Sequence, residues 1–157
     1  MRFWFDTEFI EDGKTIELLS IGIVAEDGRE YYAEPKETDR SRACDWVKAN
    51  VIPRLSTGVF LRPRTQIAQE ITAFAGDKPQ FWAYFGAYDW VALCRLYGRL
   101  VDLPKGWPMW CRDLRQLREF CGNPRLPAKP DNLHNALADA RWTRDAWRSL
   151  IELQQAA

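Results

Sequence analysis

Several things are scarce in these 157 residues, and each scarcity excludes something. Excess charge of either sign is missing, because 22 basic side chains balance 22 acidic ones. No global field gathers polyanions, which disfavours a generic nucleic-acid sponge while leaving local patches open. Lysine is sparse: 16 of the basic residues are Arg and 6 are Lys, so bidentate partners for phosphate and carboxylate dominate. The four cysteines, Cys44, Cys94, Cys111 and Cys121, form no C-x-x-C pair, and a reduced, cytoplasmic setting is expected over a disulfide scaffold. No apolar run approaches the ~20 residues of a membrane span, and no basic-then-apolar leader opens the chain. There are no repeats or low-complexity stretches. Histidine occurs once, at position 134.

What is present is apolar and aromatic in quantity. With 46% hydrophobic and 13% aromatic side chains, the length suits one domain, residues 1–157, with a sizeable core. Residues 2–9 read as a strand, followed by a turn tightest at Asp12-Gly13. The apolar run "IELLSIGIVA" at 16–25 reads as a central strand, and after a second Asp-Gly turn 29–34 returns as a third. Helical spacing follows at about 41–50 and 65–75, around the link "PRLSTGVFLRPR". Residues 80–85 predict a fourth strand, 88–100 a helix, 109–111 a short fifth strand and 113–121 a helix. After the loop "GNPRLPAKPDN", residues 135–154 carry the clearest 3.6-residue period. An antiparallel meander followed by alternating helices and strands predicts an α/β fold, a mixed sheet flanked by helices.

The first strand poses a chemical problem. Asp is depleted in strands, yet Asp6 and Glu8 stand mid-strand in "FDTEF" and, two apart, share a face. Such a pair arises by chance roughly once in a couple of hundred positions, so alone it reads as a solvated face. A second feature alters that weighting. In "HNALADAR", His134 lies just before the long helix and Asp139 projects from its first turns, so both reach one point beside the helix start. Asp89, in "AYDWVAL", directly follows the fourth strand. Each alone has a plain reading, an acid stabilised by a helix dipole or a loop histidine. Together, four carboxylates and one imidazole suit Mg²⁺, which takes oxygen ligands. Two such ions can stabilise the attacking and leaving oxygens of a phosphoryl displacement, and an imidazole can deprotonate water at neutral pH.

The segments "FDTEF", "AYDWVAL" and "HNALADAR" resemble, in order and spacing, the three motifs of the DEDDh 3′–5′ exonucleases, the family of ribonuclease T and oligoribonuclease. The resemblance spans residue 3 to about 150, and its H-x-x-x-x-D element is the most specific part. The stretch "DTEFIEDG", with "GAYD", is similar to the actinobacterial polyadenylate-specific 3′-exoribonuclease branch. The resemblance implies a ribonuclease H-like fold and hydrolysis of single-stranded RNA 3′ ends or overhangs to 5′-monophosphates, with adenylate-rich ends as the substrate that the branch implies. It implies that Asp6, Glu8, Asp89 and Asp139 hold two Mg²⁺ ions, with Mn²⁺ able to substitute, and that His134 is the general base. It also implies a homodimer. A DNA-acting proofreading or repair exonuclease and a non-catalytic RNA-end-binding module are the competing readings.

For the substrate, Phe9 and Ile10 follow the acids and are candidates to contact the terminal base or ribose. Tyr88 and Trp90 flank Asp89 and border the cleft, although helical spacing buries one of them. Arg141, near Asp139 in sequence, is a candidate phosphate contact. Arg54, Arg62 and Arg64 cluster in the link, and Arg112, Arg115 and Arg118 follow at three-residue intervals along one helix. The second set reads first as a solvated helix face; either set could instead track phosphates or face a second copy.

Overall fold

A computed structural model describes residues 1–156. Its centre is a six-stranded sheet in the order β4-β3-β2-β1-β5-β6. Strands β1 (Arg2–Glu11), β2 (Ile16–Ala25) and β3 (Glu30–Pro35) form the expected antiparallel meander. On the other side of β1, β5 (Gln80–Ala83) and β6 (Arg112–Asp113) add in parallel. β4 (Leu61–Arg62) pairs in parallel with the end of β3. This strand lies inside the link between the first two predicted helices; two residues are too few to show a period. The predicted strand at 109–111 is displaced to 112–113, where Asp113 both closes β6 and caps the next helix by accepting from Arg115 N at 2.7 Å.

Five helices flank the sheet: α1 (Asp45–Asn50), α2 (Arg64–Ala75), α3 (Ala87–Cys94), α4 (Leu114–Phe120) and α5 (Ala136–Gln155). α3 ends six residues earlier than the periodicity of 88–100 suggests, and the chain then turns through Gly98 at φ 110°. The alternation of β1 divides its side chains between two layers. Phe3 and Phe5 join Phe81, Ile67, Ile71, Leu93 and Trp107 in the main core, whereas Trp4 points to the α5 side and packs on Trp147. Asp6 and Glu8 continue the Trp4 parity, so the strand delivers them to the α5 side. None of the described helices is long and apolar enough to cross a membrane.

Two local features place a cleft there. The parallel pairing of β1 with β5 covers Arg2–Trp4 only; beyond it, the β5-facing edge of β1 is open. This is the carboxyl end of the parallel strands, where α/β sheets leave a crevice. In addition, Gly22 of β2 stands directly opposite Asp6. A Cβ at Gly22 would lie 2.3 Å from Leu137 N and 2.4 Å from the Ala136 carbonyl carbon. The missing side chain therefore lets the first turn of α5 rest on the sheet beside Asp6, a close approach that a glycine inside a strand can mark.

Candidate active site

The open edge of β1 leaves the Thr7 N–H without a strand partner, and a buried donor must find one. Asp89 supplies it: its Oδ1 accepts from Thr7 N at 2.9 Å and from Thr7 Oγ1 at 2.6 Å. The first turn of α3 is thus fastened to β1 between the two acids. Asp113 fixes the entry to that helix by accepting from Gly86 N at 2.9 Å. On the opposite wall, Asn135 caps α5 by accepting from Ala138 N at 3.1 Å. His134 precedes it in the left-handed backbone region, φ 66°, and donates its own N–H to Asp139 Oδ2 at 2.9 Å. Such a conformation is uncommon outside glycine and is held here by its neighbours. The imidazole meets the ring of Trp46 edge-to-face at 4.9 Å. Arg54 donates to the Leu133 carbonyl, tying the segment after α1 to the same loop.

Carboxylate oxygens of Asp6, Glu8 and Asp139 all come within 4.8 Å of one another. A cavity of about 490 Å³ brings these three together with Asp89 and His134, and is walled by Thr7, Phe9, Tyr84, Phe85, Tyr88 and Lys129. All five residues singled out in the three sequence segments therefore meet in one cleft. Asp89 lies outside the tight trio, and Thr7 holds one of its oxygens.

The electrostatics are those of crowded anions. Burial first, then the charges of Asp89, Glu8 and Asp139, push the Asp6 carboxyl well above the usual range. Glu8 is pushed up to about 8 by burial and then by Asp139 and Asp89, with Arg54 opposing. Burial raises Asp89 to about 6 against the Thr7 hydrogen bonds. It raises Asp139 as well, against Lys129 and His134. Like charges at this separation without a counter-charge cannot all stay ionised at neutral pH. Asp139 Oδ1 is buried with no hydrogen-bond partner, an expensive state for a carboxylate. A donor set made only of carboxylate oxygens, one of them buried and unpartnered, fits a hard divalent cation.

The remaining sequence candidates divide. Phe9 and Tyr88 stack at 5.8 Å with rings 14° apart on the cleft wall, and Tyr88 is 52% exposed. Ile10 is excluded from the cleft. It is buried with Leu19, Ala43 and Val51 beneath α1, beyond the register shift that follows Glu8. Trp90 is also excluded, being the aromatic that α3 turns inward against Phe5 and Phe81. Arg141 is about 200° round the helix from Asp139, and forms a bidentate pair with Glu30 at 2.8 and 2.6 Å instead. Of the link arginines, Arg62 bonds local carbonyls and Arg64 pairs with Glu17, so only Arg54 reaches the site. The later series is not one helical face, since Arg112 belongs to β6, and Arg115 pairs with Glu119.

Thr7, Gly22, Trp46, Phe85 and Lys129 also belong to the site, although sequence reasoning does not single them out. Gly22 carries a signal, a lone glycine inside an apolar strand. The others owe their place to contacts distant in sequence.

Over residues 1–151 the sequence matches the family described as the 3′-5′ exoribonuclease Rv2179c-like domain. The chain belongs to that family. A relative, the 3′-5′ exoribonuclease Rv2179c of Mycobacterium tuberculosis, is 50% identical over 147 residues, covering 90% of this chain and 88% of that protein. Among solved structures, the Escherichia coli exonuclease I–ssDNA complex superposes with a TM-score of 0.66 at 12% identity, covering 99% of this chain. The family member described here spans 41% of that exonuclease I chain. A chain in the structure of the yeast NOT1 MIF4G domain co-crystallised with CAF1 gives 0.59 at 12% identity, covering 98% of this chain and 80% of that one. At these identities the likeness is one of fold, which is ribonuclease H-like.

Proposed function

We propose that residues 1–157 form a single catalytic domain, a 3′–5′ exoribonuclease of the DEDDh type. It would remove nucleoside 5′-monophosphates from the 3′ ends of single-stranded RNA. The observation that carries this reading is the convergence of Asp6, Glu8, Asp89, Asp139 and His134 on one cleft within a chain of the exoribonuclease family. Asp6, Glu8, Asp89 and Asp139 would hold two divalent cations, Mg²⁺ with Mn²⁺ as substitute. When bound, these supply Lewis-acid stabilisation of charge at the phosphodiester.

The chain's own groups account for the rest. His134 removes a proton from the attacking water as general base, and its placement is governed by the Asp139–His134 backbone bond and the Trp46 ring. Thr7 keeps Asp89 aimed at the cleft. The Phe9–Tyr88 stack and Phe85, 63% exposed, offer apolar faces for the terminal base, a sequence-tolerant mode of holding a single strand. A preference for adenylate-rich tails and a homodimeric state complete the reading and rest on the family resemblance, and a cytoplasmic location rests on four cysteines without a C-x-x-C pair.

The test is digestion of 5′-labelled single-stranded RNA homopolymers and matched DNA, with Mg²⁺ and with EDTA. A ladder shortening one nucleotide at a time from the 3′ end, faster on RNA and abolished by EDTA, is expected. His134→Ala should slow it about a hundred- to ten-thousandfold. No metal-dependent shortening of either polymer would overturn the enzyme reading, and faster DNA cleavage would reassign the substrate.

A further inference from the structure

One cation lines the acid cleft with no carboxylate bonded to it. Lys129 belongs to the loop between α4 and α5, bracketed by Pro127 and Pro130. That loop is anchored to α5 by Trp142, whose Nε1 donates to the Pro127 carbonyl at 3.1 Å. The Lys129 ammonium lies 3.6 Å from the centroid of the Trp142 ring and 4.9 Å from that of Tyr84. The two aromatic faces hold a flexible side chain in one place by cation–π attraction. The same side chain lines the cavity that contains Asp6, Glu8, Asp89, His134 and Asp139.

Desolvation works against its charge, while Asp139 and Asp6 favour it. Its field reaches both acids, and it opposes the rise in their pKa. No salt bridge joins Lys129 to an acid among the described residues, although nine other ion pairs form there. Its ammonium donors are therefore not committed to a carboxylate, and the side chain forms part of the cleft wall. An ammonium is a point charge with three rotatable donors, suited to a phosphate oxygen.

We propose that Lys129 is a catalytic residue that binds a non-bridging oxygen of the terminal phosphate and offsets the negative charge that develops there during hydrolysis. This rests on the exonuclease reading of the site. It also gives the two aromatic rings a role. Tyr84 and Trp142 keep the ammonium extended toward the phosphate rather than collapsed onto Asp6 and Asp139, where it would compete with a cation.

The test separates phosphate recognition from packing. Lys129→Met keeps the length of the stem and its contact with the rings but removes the charge, and Lys129→Arg restores a cation. Equilibrium binding of adenosine 5′-monophosphate and of adenosine, neither of which holds a phosphodiester to cleave, is measured by calorimetry in Mg²⁺, alongside kcat and KM on single-stranded RNA with Mg²⁺. For Lys129→Met, monophosphate binding and kcat should fall about ten- to a hundredfold, the range of a charge-assisted hydrogen bond. Adenosine binding should stay within twofold, and Lys129→Arg should recover most of the loss. Equal monophosphate binding and kcat in wild type and Lys129→Met would overturn the proposal. So would equal losses for nucleoside and nucleotide, since that marks a packing role. Failure of the wild-type protein itself to shorten RNA would count against the exonuclease reading, a distinguishable result.

Discussion

Two parts of this molecule bury acidic side chains and treat them in opposite ways. Glu34, at 0% exposure on β3, is met on every side. Its Oε1 accepts from Tyr32 Oη at 2.8 Å and Ser56 N at 2.6 Å, and its Oε2 accepts from Arg40 at 2.7 Å. Glu8, at 9% exposure on β1, has other carboxylates for neighbours, and its charged form is disfavoured by burial and by Asp139 and Asp89. A buried charge is tolerable only when paired or when coordinating a metal. Glu34 satisfies the first condition with protein atoms, joining β3 to the segments around Arg40 and Ser56. The Asp6–Glu8–Asp139 trio satisfies neither condition without a cation. The difference separates an acid that serves the fold from acids that the fold holds ready at a cost in stability.

The largest effect should come from exchanging amide for acid on each side of this comparison. Asp6→Asn removes a ligand and one of the mutually repelling charges. Nucleotide release should fall at least about a thousandfold, while the melting temperature in EDTA should rise. Glu34→Gln should do the reverse, leaving the cleft intact but costing about 3 kcal/mol, because Arg40 and its fellow donors lose a full negative partner. Thermal melts in EDTA and single-turnover digestion of RNA measure both. A lower metal-free melting temperature for Asp6→Asn would mean that the trio is not repulsive.

Next in size is Gly22→Ala, which keeps every polar group and changes only the distance between β2 and α5. The added methyl would meet backbone atoms of Ala136 and Leu137, which cannot rotate away. The first turn of α5 must lift, carrying Asp139 and the His134 loop with it. Overpacking of this kind costs about 3 kcal/mol, and a shift near 1 Å at a catalytic group costs about a hundredfold in rate. Urea titration and RNA digestion check both. Wild-type activity in a stable Gly22→Ala protein would show that α5 does not need this contact.

A pH series on the metal-free protein sharpens the comparison further. Glu8 at about 8 and Asp89 at about 6 lie above their unfolded values, so the folded state holds more protons than the unfolded one across that window. The stability they contribute is present at about pH 4 and is lost as pH rises toward 8, on the order of a few kcal/mol. Asp12 and Asp102, held down to about 2 by hydrogen bonds, act oppositely: their contribution is present above pH 4 and lost as pH falls toward 2. Melts in EDTA should therefore peak near pH 4–5. Saturating Mg²⁺ should flatten the decline above the peak by compensating the carboxylates. A metal-free melting temperature that is level between pH 5 and 8 would contradict the crowding of the acids.

Much of this arrangement is legible in the chain, for reasons that can be named. β2 is found at the expected 16–25 because a mostly apolar ten-residue run between two Asp-Gly turns leaves little freedom. Asp6 and Glu8 share a face because strand periodicity is two, and His134 with Asp139 flank a helix start that Asn135 caps. β4 is not legible, since it exists only through pairing with β3. Nor is the role of Thr7, whose importance comes from a strand edge that β5 is too short to cover. Lys129 lies in a proline-rich loop without periodicity, and only the folding of that loop onto Trp142 brings its charge to the acids. Ile10 shows the converse error: proximity in sequence to Glu8 suggests the cleft, and beyond the register shift it is buried. Of Tyr88 and Trp90, helical spacing leaves open which is buried, and the turn of α3 sends Trp90 inward.

The smallest effect should come from Arg141, which tests whether sequence proximity to Asp139 has any functional meaning. Its guanidinium pairs with Glu30 across the outer surface, with 48% and 31% of the two side chains exposed. The pair lowers the Glu30 pKa through that hydrogen bond, but solvent screens most of the gain. Arg141→Ala should therefore cost no more than about 1 kcal/mol, and raising the salt should narrow even that difference. Turnover of RNA and the metal requirement should be unchanged, because the side chain leaves the helix on the side opposite the cleft. A drop in kcat or a rise in KM beyond about twofold would instead return Arg141 to the phosphate path. It would also mean that the Glu30 pair opens when substrate binds.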